Sequence, residues 1–369
     1  MRKVIFLHNK FPDNKPELLN LLSRWNKYAE EVHKYSGDDG IWLFTANSQM
    51  GRIYEEKYLK FFDSVEDNVK ILGRISALTR EIRKSSSNFT LVCGDTQKSL
   101  MTGIYLRLLL GSKVRIQTQF HGDIYSFRFN QGLKGALRAF LSRLGIISSY
   151  SIRIVSEFQM NEIVAFAPKS KDKFVLAPIP IDISRIAKPH KSKNTDLAFI
   201  GRLHQERGIA ELIRVIKLVK KTLPETRVAI AGDGPLRTQI EIELSGWIKQ
   251  GDIKMLGYLN PEQILEVYAD AKILISTAPR EGYGLTLREA ALSQVLVIAQ
   301  YSKGAREAQG SYPLQIKTFS TLDEAVALIQ TSLTSLNQKF NTVKPSQIDA
   351  QMQIDSLGVT RLVRSWLDD

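Results

Sequence analysis

A chain of 369 residues, 43% of them apolar, exceeds the size at which one hydrophobic core stops growing, so two domains are expected. A single cysteine, Cys93, excludes an intramolecular disulfide and fits a reducing compartment, and no apolar window approaches the roughly 20 residues that span a bilayer. The net charge of +13 is uneven: residues 1–190 hold 29 Lys and Arg against 18 Asp and Glu, whereas residues 191–369 hold 22 against 20.

In chain order, the pattern alternates strands with helices, as parallel sheets with crossover helices require. Met1, Arg2 and Lys3 precede the apolar run Val4 to Leu7, but that run stops at His8, too soon for a signal peptide, and reads as the first strand. Further strands are expected at Ile41 to Thr45, Thr90 to Gly94, Arg115 to Phe120 and Arg153 to Ser156. From Ile124 to Ser156 no acid occurs, while Arg128, Lys134, Arg138, Arg143 and Arg153 do. Phe127, Phe129, Leu133, Leu137, Phe140, Leu141, Leu144 and Ile147 stand around them, roughly at helical spacing. This is a basic amphipathic helix, suited either to the interface of an anionic membrane or to a core-facing role with a solvated basic side.

Pro178 and Pro180 cannot continue a ladder or a helix and mark a linker. Residues 1–180 are therefore a first domain and 181–345 a second, with 346–369 a C-terminal helix. Second-domain strands are expected at Leu197 to Gly201, Arg227 to Ala231, Lys254 to Leu256, Lys272 to Ser276 and Leu296 to Ala299, and helices from Gly208, Pro235, Pro261 and Gly284. Pro345 opens the last helix, which ends near Trp366.

The most informative stretch is 281–289, Glu-Gly-Tyr-Gly-Leu-Thr-Leu-Arg-Glu. Two carboxylates, Glu281 and Glu289, flank a glycine-hinged turn that enters a helix, whose unpaired first amides and positive dipole end suit a phosphate. The site would lie at the carboxyl end of a strand, where open parallel sheets bind ligands.

With Ala198 to Leu203, Glu206-Arg207-Gly208, Val228 to Leu236 and Met255 to Leu259, this Glu-x7-Glu stretch resembles the family-4 retaining glycosyltransferases. These have the GT-B fold: two Rossmann-like doubly wound α/β domains facing across a cleft, with a C-terminal helix returning to the first. The motifs cover roughly 195–310; the first half matches only loosely, through Phe120-His121-Gly122-Asp123 and Val155-Ser156-Glu157. The sequence departs from the family in four places. Arg207 replaces a lysine, Gln294 and Val295 stand for Gly and Pro, and Lys303-Gly304 stands for a Gly-Gly pair. A glycine pair near the first strand is replaced by Leu7 to Pro12. Arg207 keeps the charge but offers a planar fork.

The resemblance implies that Arg202 and Arg207 neutralise the diphosphate of a nucleotide sugar, a charge that grows as the glycosidic bond breaks. Gly201, Gly232, Gly282, Tyr283 and Gly284 would shape the donor site, and the amides of Leu285 and Thr286 would complete the phosphate cradle. It further implies that Glu289 holds the ribose hydroxyls, that Glu281 faces the donor sugar, and that His121 lies beside that sugar with Asp123 as a weaker companion. Metal-independent transfer is implied, with no cofactor, and retention by front-side attack. The expected partners are a UDP- or GDP-sugar and a glycan or lipid-linked acceptor of the cell envelope or an exopolysaccharide. An anionic membrane is a further expected partner, with Arg128, Lys134, Arg138 and Arg143 on that side. Nucleic acid is not expected, because the basic segment carries no base-reading motif. The expected location is cytoplasmic, peripheral on the inner face of the plasma membrane if the membrane reading holds. Competing readings are a sugar-nucleotide epimerase of the same fold, a non-catalytic relative, and a basic nucleic-acid or membrane binding protein.

Overall fold

The structure is a computed structural model that describes residues 2–8, 15–37, 40–45, 57–61, 71–94, 98–121, 132–183, 186–334, 343 and 345–368. Two compact units divide the chain, one of Met1–Pro180 with Asp355–Asp369 and one of Ile181–Ile354.

The first unit opens with β1 (Lys3–His8), α1 (Lys15–Ser36), β2 (Ile41–Thr45) and β3 (Leu59–Phe61). It continues through α2 (Ile71–Lys84), β4 (Phe89–Cys93), α3 (Lys98–Leu110) and β5 (Val114–Phe120). α4 (Gly132–Ser148), β6 (Ser151–Ile154), α5 (Glu157–Phe166) and β7 (Phe174–Leu176) complete it. The seven strands form a parallel sheet of order β3-β2-β1-β4-β5-β6-β7. The order reverses between β1 and β4, where Val4 lies opposite Thr90.

Helices cover both faces of the sheet. One face packs Leu18, Leu22 and Val32 of α1 with Phe6, Leu362 and Trp366, and the other packs Leu78 and Ile82 of α2 with Ile5, Leu7, Leu100 and Ile116. Each such fully buried side chain contributes about 1.5–3 kcal/mol. The buried faces of β4 and β5 also carry polar groups. Gln117 Nε2 donates to Ser365 Oγ at 2.7 Å, Arg115 Nη2 to the Ser365 carbonyl at 3.1 Å, and Thr90 Oγ1 to the Trp366 carbonyl at 2.6 Å. Residues 355–367 thus complete this unit, with Trp366 fully buried against Phe6 and Tyr28.

The second unit runs β8 (Thr195–Ile200), α6 (Ile209–Thr222), β9 (Val228–Ala231), α7 (Arg237–Glu243), α8 (Ser245–Gln250), β10 (Ile253–Gly257) and α9 (Pro261–Asp270). It ends with β11 (Ala271–Ser276), α10 (Leu285–Leu292), β12 (Leu296–Gln300), α11 (Lys303–Ser311), β13 (Ile316–Phe319), α12 (Leu322–Thr334) and the start of α13 (Pro345–Leu367). Its sheet is again parallel, of order β10-β9-β8-β11-β12-β13, with the reversal between β8 and β11. α6 buries Ile209, Leu212, Ile213, Val215, Ile216 and Val219 at helical spacing. α9 opens on a reciprocal cap, in which Asn260 Oδ1 accepts from the Gln263 amide and the Gln263 side chain accepts from the Asn260 amide, with Pro261 in the first turn.

The ten strands expected from sequence are present to within one or two residues. The three that apolar patterning did not signal are β3, β7 and β13, of three, three and four residues. Each is an edge strand with a single neighbour, too short for a period of two to show.

Candidate functional site

In the second unit the chain leaves β8 at Gly201 and passes Arg202 into a 3-10 turn over Gln205–Arg207. Gly208 closes that turn in the left-handed region (φ 66°), and a Cβ there would lie 1.9 Å from the carbonyl oxygen of Thr277, just past β11. Only glycine tolerates both the conformation and the approach. Thr277 Oγ1 donates to the Arg207 carbonyl at 3.1 Å. The two loops at the switch point are thereby stitched together, which is the crevice position for ligands in doubly wound sheets.

That stitching brings Arg207 to Glu281: Arg207 Nη1 donates to Glu281 Oε2 at 3.1 Å, with both side chains largely but not fully buried. Arg202, 64% exposed, pairs with Glu206 one turn on. An exposed pair of this kind contributes up to about 1 kcal/mol, so Arg202 is easily drawn to an incoming anion. Gly232 follows β9 and packs on the Gly201 carbonyl, its amide donating to the Gly257 carbonyl at 2.7 Å.

Gly284 caps α10 from the left-handed region, and the amides of Leu285 and Thr286 begin the helix, where no intrahelical acceptor exists for them. Tyr283 turns its ring inward, 4% exposed. Arg288 lies over it at 4.4 Å and donates to the Tyr283 carbonyl at 3.1 Å and to Ser311 Oγ at 3.0 Å. Tyr283 and Gly282 are both buried, so the turn they form offers a ligand backbone rather than side chain. Glu289, one and a half turns further along α10, accepts from the Tyr268 hydroxyl at 3.3 Å. Burial, then the Glu289 charge and this hydrogen bond, push the Tyr268 pKa well above its usual value, so it remains a donor.

The apparent losses around the site fall into place. Lys303 is exposed, whereas Gly304 is the position at which a Cβ would lie 2.2 Å from the Glu281 carbonyl oxygen. Gln294 has φ 58° beyond the end of α10, with its amide donating to the Ala291 carbonyl and that of Val295 to the Ala290 carbonyl. This is a Schellman turn, in which glycine is the usual occupant.

In the first unit His121 follows β5. It lines a cavity of about 260 Å³ with His8, Gly94, Gln119, Arg24 and Arg153, at the carboxyl ends of β1, β4 and β5. The residue keeps solvent-exposed surface. Loss of hydration at the ring, then the Arg153 and Arg24 charges, lower its pKa to about 3, so the imidazole is neutral at pH 7. Gly122, Asp123 and Arg128 lie outside the described residues, as do the side chains of Lys134 and Arg138. Arg143 is exposed on α4, while Arg153, the last cation of the basic segment, is 3% exposed on β6.

Sequence patterning missed Tyr268, Thr277 and Ser302, whose Oγ accepts from the Glu281 amide at 3.4 Å. It also missed Gln119, although a signal existed: Arg115, Gln117 and Gln119 place polar groups at alternate positions of a central strand. Among the described residues no group of three or more His, Cys, Asp or Glu side chains is placed to hold a metal, and no helix is long and apolar enough to cross a membrane.

Residues 181–329 match the family model described as glycosyl transferases group 1. The chain is 22% identical over 331 residues to an uncharacterized glycosyltransferase, YqgM, of Bacillus subtilis, covering 88% of this chain and 86% of that one. Among solved structures it resembles Anabaena HepE in complex with UDP-glucose (TM-score 0.75, 14% identity, 98% of both chains). It also resembles the lipopolysaccharide outer core galactosyltransferase WaaB in its apo form (TM-score 0.69, 14% identity, 99% of both chains). Residues 181–329 thus carry the likeness to the glycosyl transferases group 1, and the two parallel-sheet units have the GT-B fold of these solved structures.

Proposed function

We propose that the protein is a retaining glycosyltransferase that moves a hexose from a nucleotide diphosphate sugar, UDP-linked in the first instance and GDP-linked otherwise, to a glycan or lipid-linked acceptor of the cell envelope. The observation that carries this reading is the Arg207–Glu281 pair at the β8/β11 switch point beside the start of α10. A diphosphate seated there meets a guanidinium and helix amides, which stabilise the charge released as the glycosidic bond breaks. Arg207 and Arg202 hold the diphosphate without a metal, the first α10 amides complete the cradle, and Glu289, oriented by Tyr268, accepts from the ribose hydroxyls. Glu281 is left to contact the sugar. Retention follows if the acceptor attacks on the face the diphosphate leaves, with the leaving phosphate taking the acceptor proton. HepE supports the UDP-hexose choice by its bound UDP-glucose, and WaaB supports an envelope acceptor by its named activity.

The acceptor reading draws on α4. Leu133, Leu137, Phe140, Leu144 and Ile147, spaced as one stripe, are 91%, 58%, 63%, 41% and 40% exposed. An exposed apolar stripe beside Arg143 has the build of a helix that lies in the interface of an anionic membrane, which would place the enzyme peripherally on the inner face of the plasma membrane.

The test is calorimetry of the purified protein against UDP, GDP, ADP and their sugar conjugates, with and without EDTA. EDTA-resistant binding of one nucleotide family supports the proposal. Absence of binding to all of them refutes it. The anomeric configuration of the product, read by NMR, decides retention.

A further inference from the structure

The cavity of the first unit contains a buried positive charge that no described acidic residue pairs with. Arg153 is 3% exposed, and every partner it has among the described residues is neutral. Its Nε donates to the Ala177 carbonyl at 3.0 Å and its Nη1 to Gln119 Oε1 at 3.3 Å. Its Nη2 donates to the Tyr28 hydroxyl at 2.9 Å and the Pro178 carbonyl at 3.1 Å. Four of the five guanidinium hydrogens are thus used, and one on Nη1 remains. Burying a cation without an opposing charge costs several kcal/mol, so such groups are ordinarily paired.

Gln119, 7% exposed, repeats the pattern. Its Oε1 accepts from Arg153 and from His121 Nε2 at 3.1 Å, which fixes the amide orientation, because the reverse would set an NH2 group against the guanidinium. Its Nε2 is left buried with no acceptor among the described residues. Arg24 adds a second cation from an exposed position on α1, and no Asp or Glu lines the cavity among the described residues. Leu21, Trp25 and Ile179 supply apolar wall. Unused donors, two cations and no acid, at the switch point of a parallel sheet, form a receptor awaiting an acceptor-rich anion.

We infer that this cavity is an oxyanion site that binds a phosphate group carried by the acceptor substrate. The assignment rests on the transferase reading, under which the donor diphosphate has its own site in the second unit. Arg153 and Gln119 hold the phosphate from the cavity floor and Arg24 closes over it from the rim.

The probes are inorganic phosphate and glycerol phosphate, titrated calorimetrically into the full-length protein beside UDP. Gln119→Glu sets a carboxylate against Arg153, satisfies the buried charge and so preserves the fold, while repelling an anion. Arg24→Ala, at an exposed position, leaves the fold alone. Both variants are expected to lose about tenfold or more in affinity for the two phosphate probes and to keep wild-type affinity for UDP. Phosphate binding that is absent from the wild type, or equal in wild type and variants, overturns the site. UDP affinity that falls together with phosphate affinity overturns the acceptor assignment and gives the cavity to the donor. Phosphate binding with no UDP binding in any variant sinks the transferase reading, and with it the acceptor assignment, while leaving an anion site.

Discussion

Arg207 and Glu281, 74 positions apart in sequence, meet through a 3.1 Å contact from Nη1 to Oε2 because β8 and β11 are neighbours in the sheet. Each screens the other's charge, so a diphosphate and Glu281 compete for one guanidinium. Removing the carboxylate charge with Glu281→Gln should therefore raise UDP affinity severalfold while lowering turnover, since the sugar exchanges a charged two-oxygen acceptor for a neutral one-oxygen acceptor. Arg207→Ala should weaken UDP and lower kcat/KM about 100-fold or more, as loss of one oxyanion donor does. Arg202→Ala, at an exposed cation paired with Glu206, should cost less. Calorimetry with UDP and a UDP-release assay separate these outcomes. Weaker UDP binding in Glu281→Gln would contradict the competition.

Tyr268 is fully buried and gives its hydroxyl to Glu289. Tyr268→Phe keeps the ring in the core and deletes one hydrogen bond to a charged group, a loss of about 1.5–3 kcal/mol in ribose positioning. UDP affinity should fall about tenfold or more, with little change in melting temperature. In a Glu289→Ala background the same change should do nothing further, because its effect passes through Glu289. Additive losses in the double variant would show that Tyr268 acts on the ligand by another route.

The legible parts of this protein were those with a local cause. Buried strands such as 41–45 and 271–276 are short apolar runs, and the glycine turns at 208 and 284 are read directly from the residue type that most readily accepts φ 66° and 72°. Edge strands β3, β7 and β13 escaped because three or four residues carry no measurable period. In the site, Arg207 and Glu281 were visible as motif members but their pairing was not, since it depends on sheet order. Tyr268 and Gln119 were hidden for the same reason: each gains its role from a neighbour on another element. The basic segment misled in one respect. Arg153 counts as surface charge in a linear tally, yet it is sealed in the first unit's core.

The α4 stripe makes a physical commitment. Phe140 and Leu137 are 63% and 58% exposed, and burying each in a membrane interface is worth up to about 1.5–3 kcal/mol. Leu137→Glu with Phe140→Glu should lower partition onto anionic vesicles at least tenfold, and Arg138→Glu with Arg143→Glu should lower it in a salt-dependent manner. Neither pair should alter UDP affinity. Vesicle binding that survives all four changes would remove the membrane from the acceptor reading.

Gln294 holds φ 58° in the Schellman turn that ends α10. A side chain in that region costs about 1 kcal/mol or more relative to glycine. Gln294→Gly should therefore stabilise the second unit and raise its melting temperature by about 2–4 °C. The Leu285 and Thr286 amides lie at the other end of α10, and the Glu289 carbonyl keeps its hydrogen bond from the Ser293 amide, so UDP affinity should be unchanged. A lower melting temperature would mean that the Gln294 side chain contributes more than its backbone strain removes.

Lys303 and Gly304 stand where the family has two glycines, and the structure assigns them opposite tolerances. A Cβ on Gly304 would sit 2.2 Å from the Glu281 carbonyl oxygen and 2.8 Å from that of Gly282. Both obstacles are backbone, which cannot swing aside as a flexible side chain would. Gly304→Ala must therefore push the 281–284 turn away from α11, carrying Glu281 off Arg207 and tilting the entrance to α10. The expected result is a destabilisation of about 1–3 kcal/mol, typical of overpacking, with UDP-sugar affinity reduced by at least as much as in Arg207→Ala. Lys303 is exposed, so Lys303→Gly should leave UDP affinity intact. Thermal melts and UDP calorimetry on the two variants decide the matter, and equal behaviour of the pair would show that Gly304 does not set the position of Glu281.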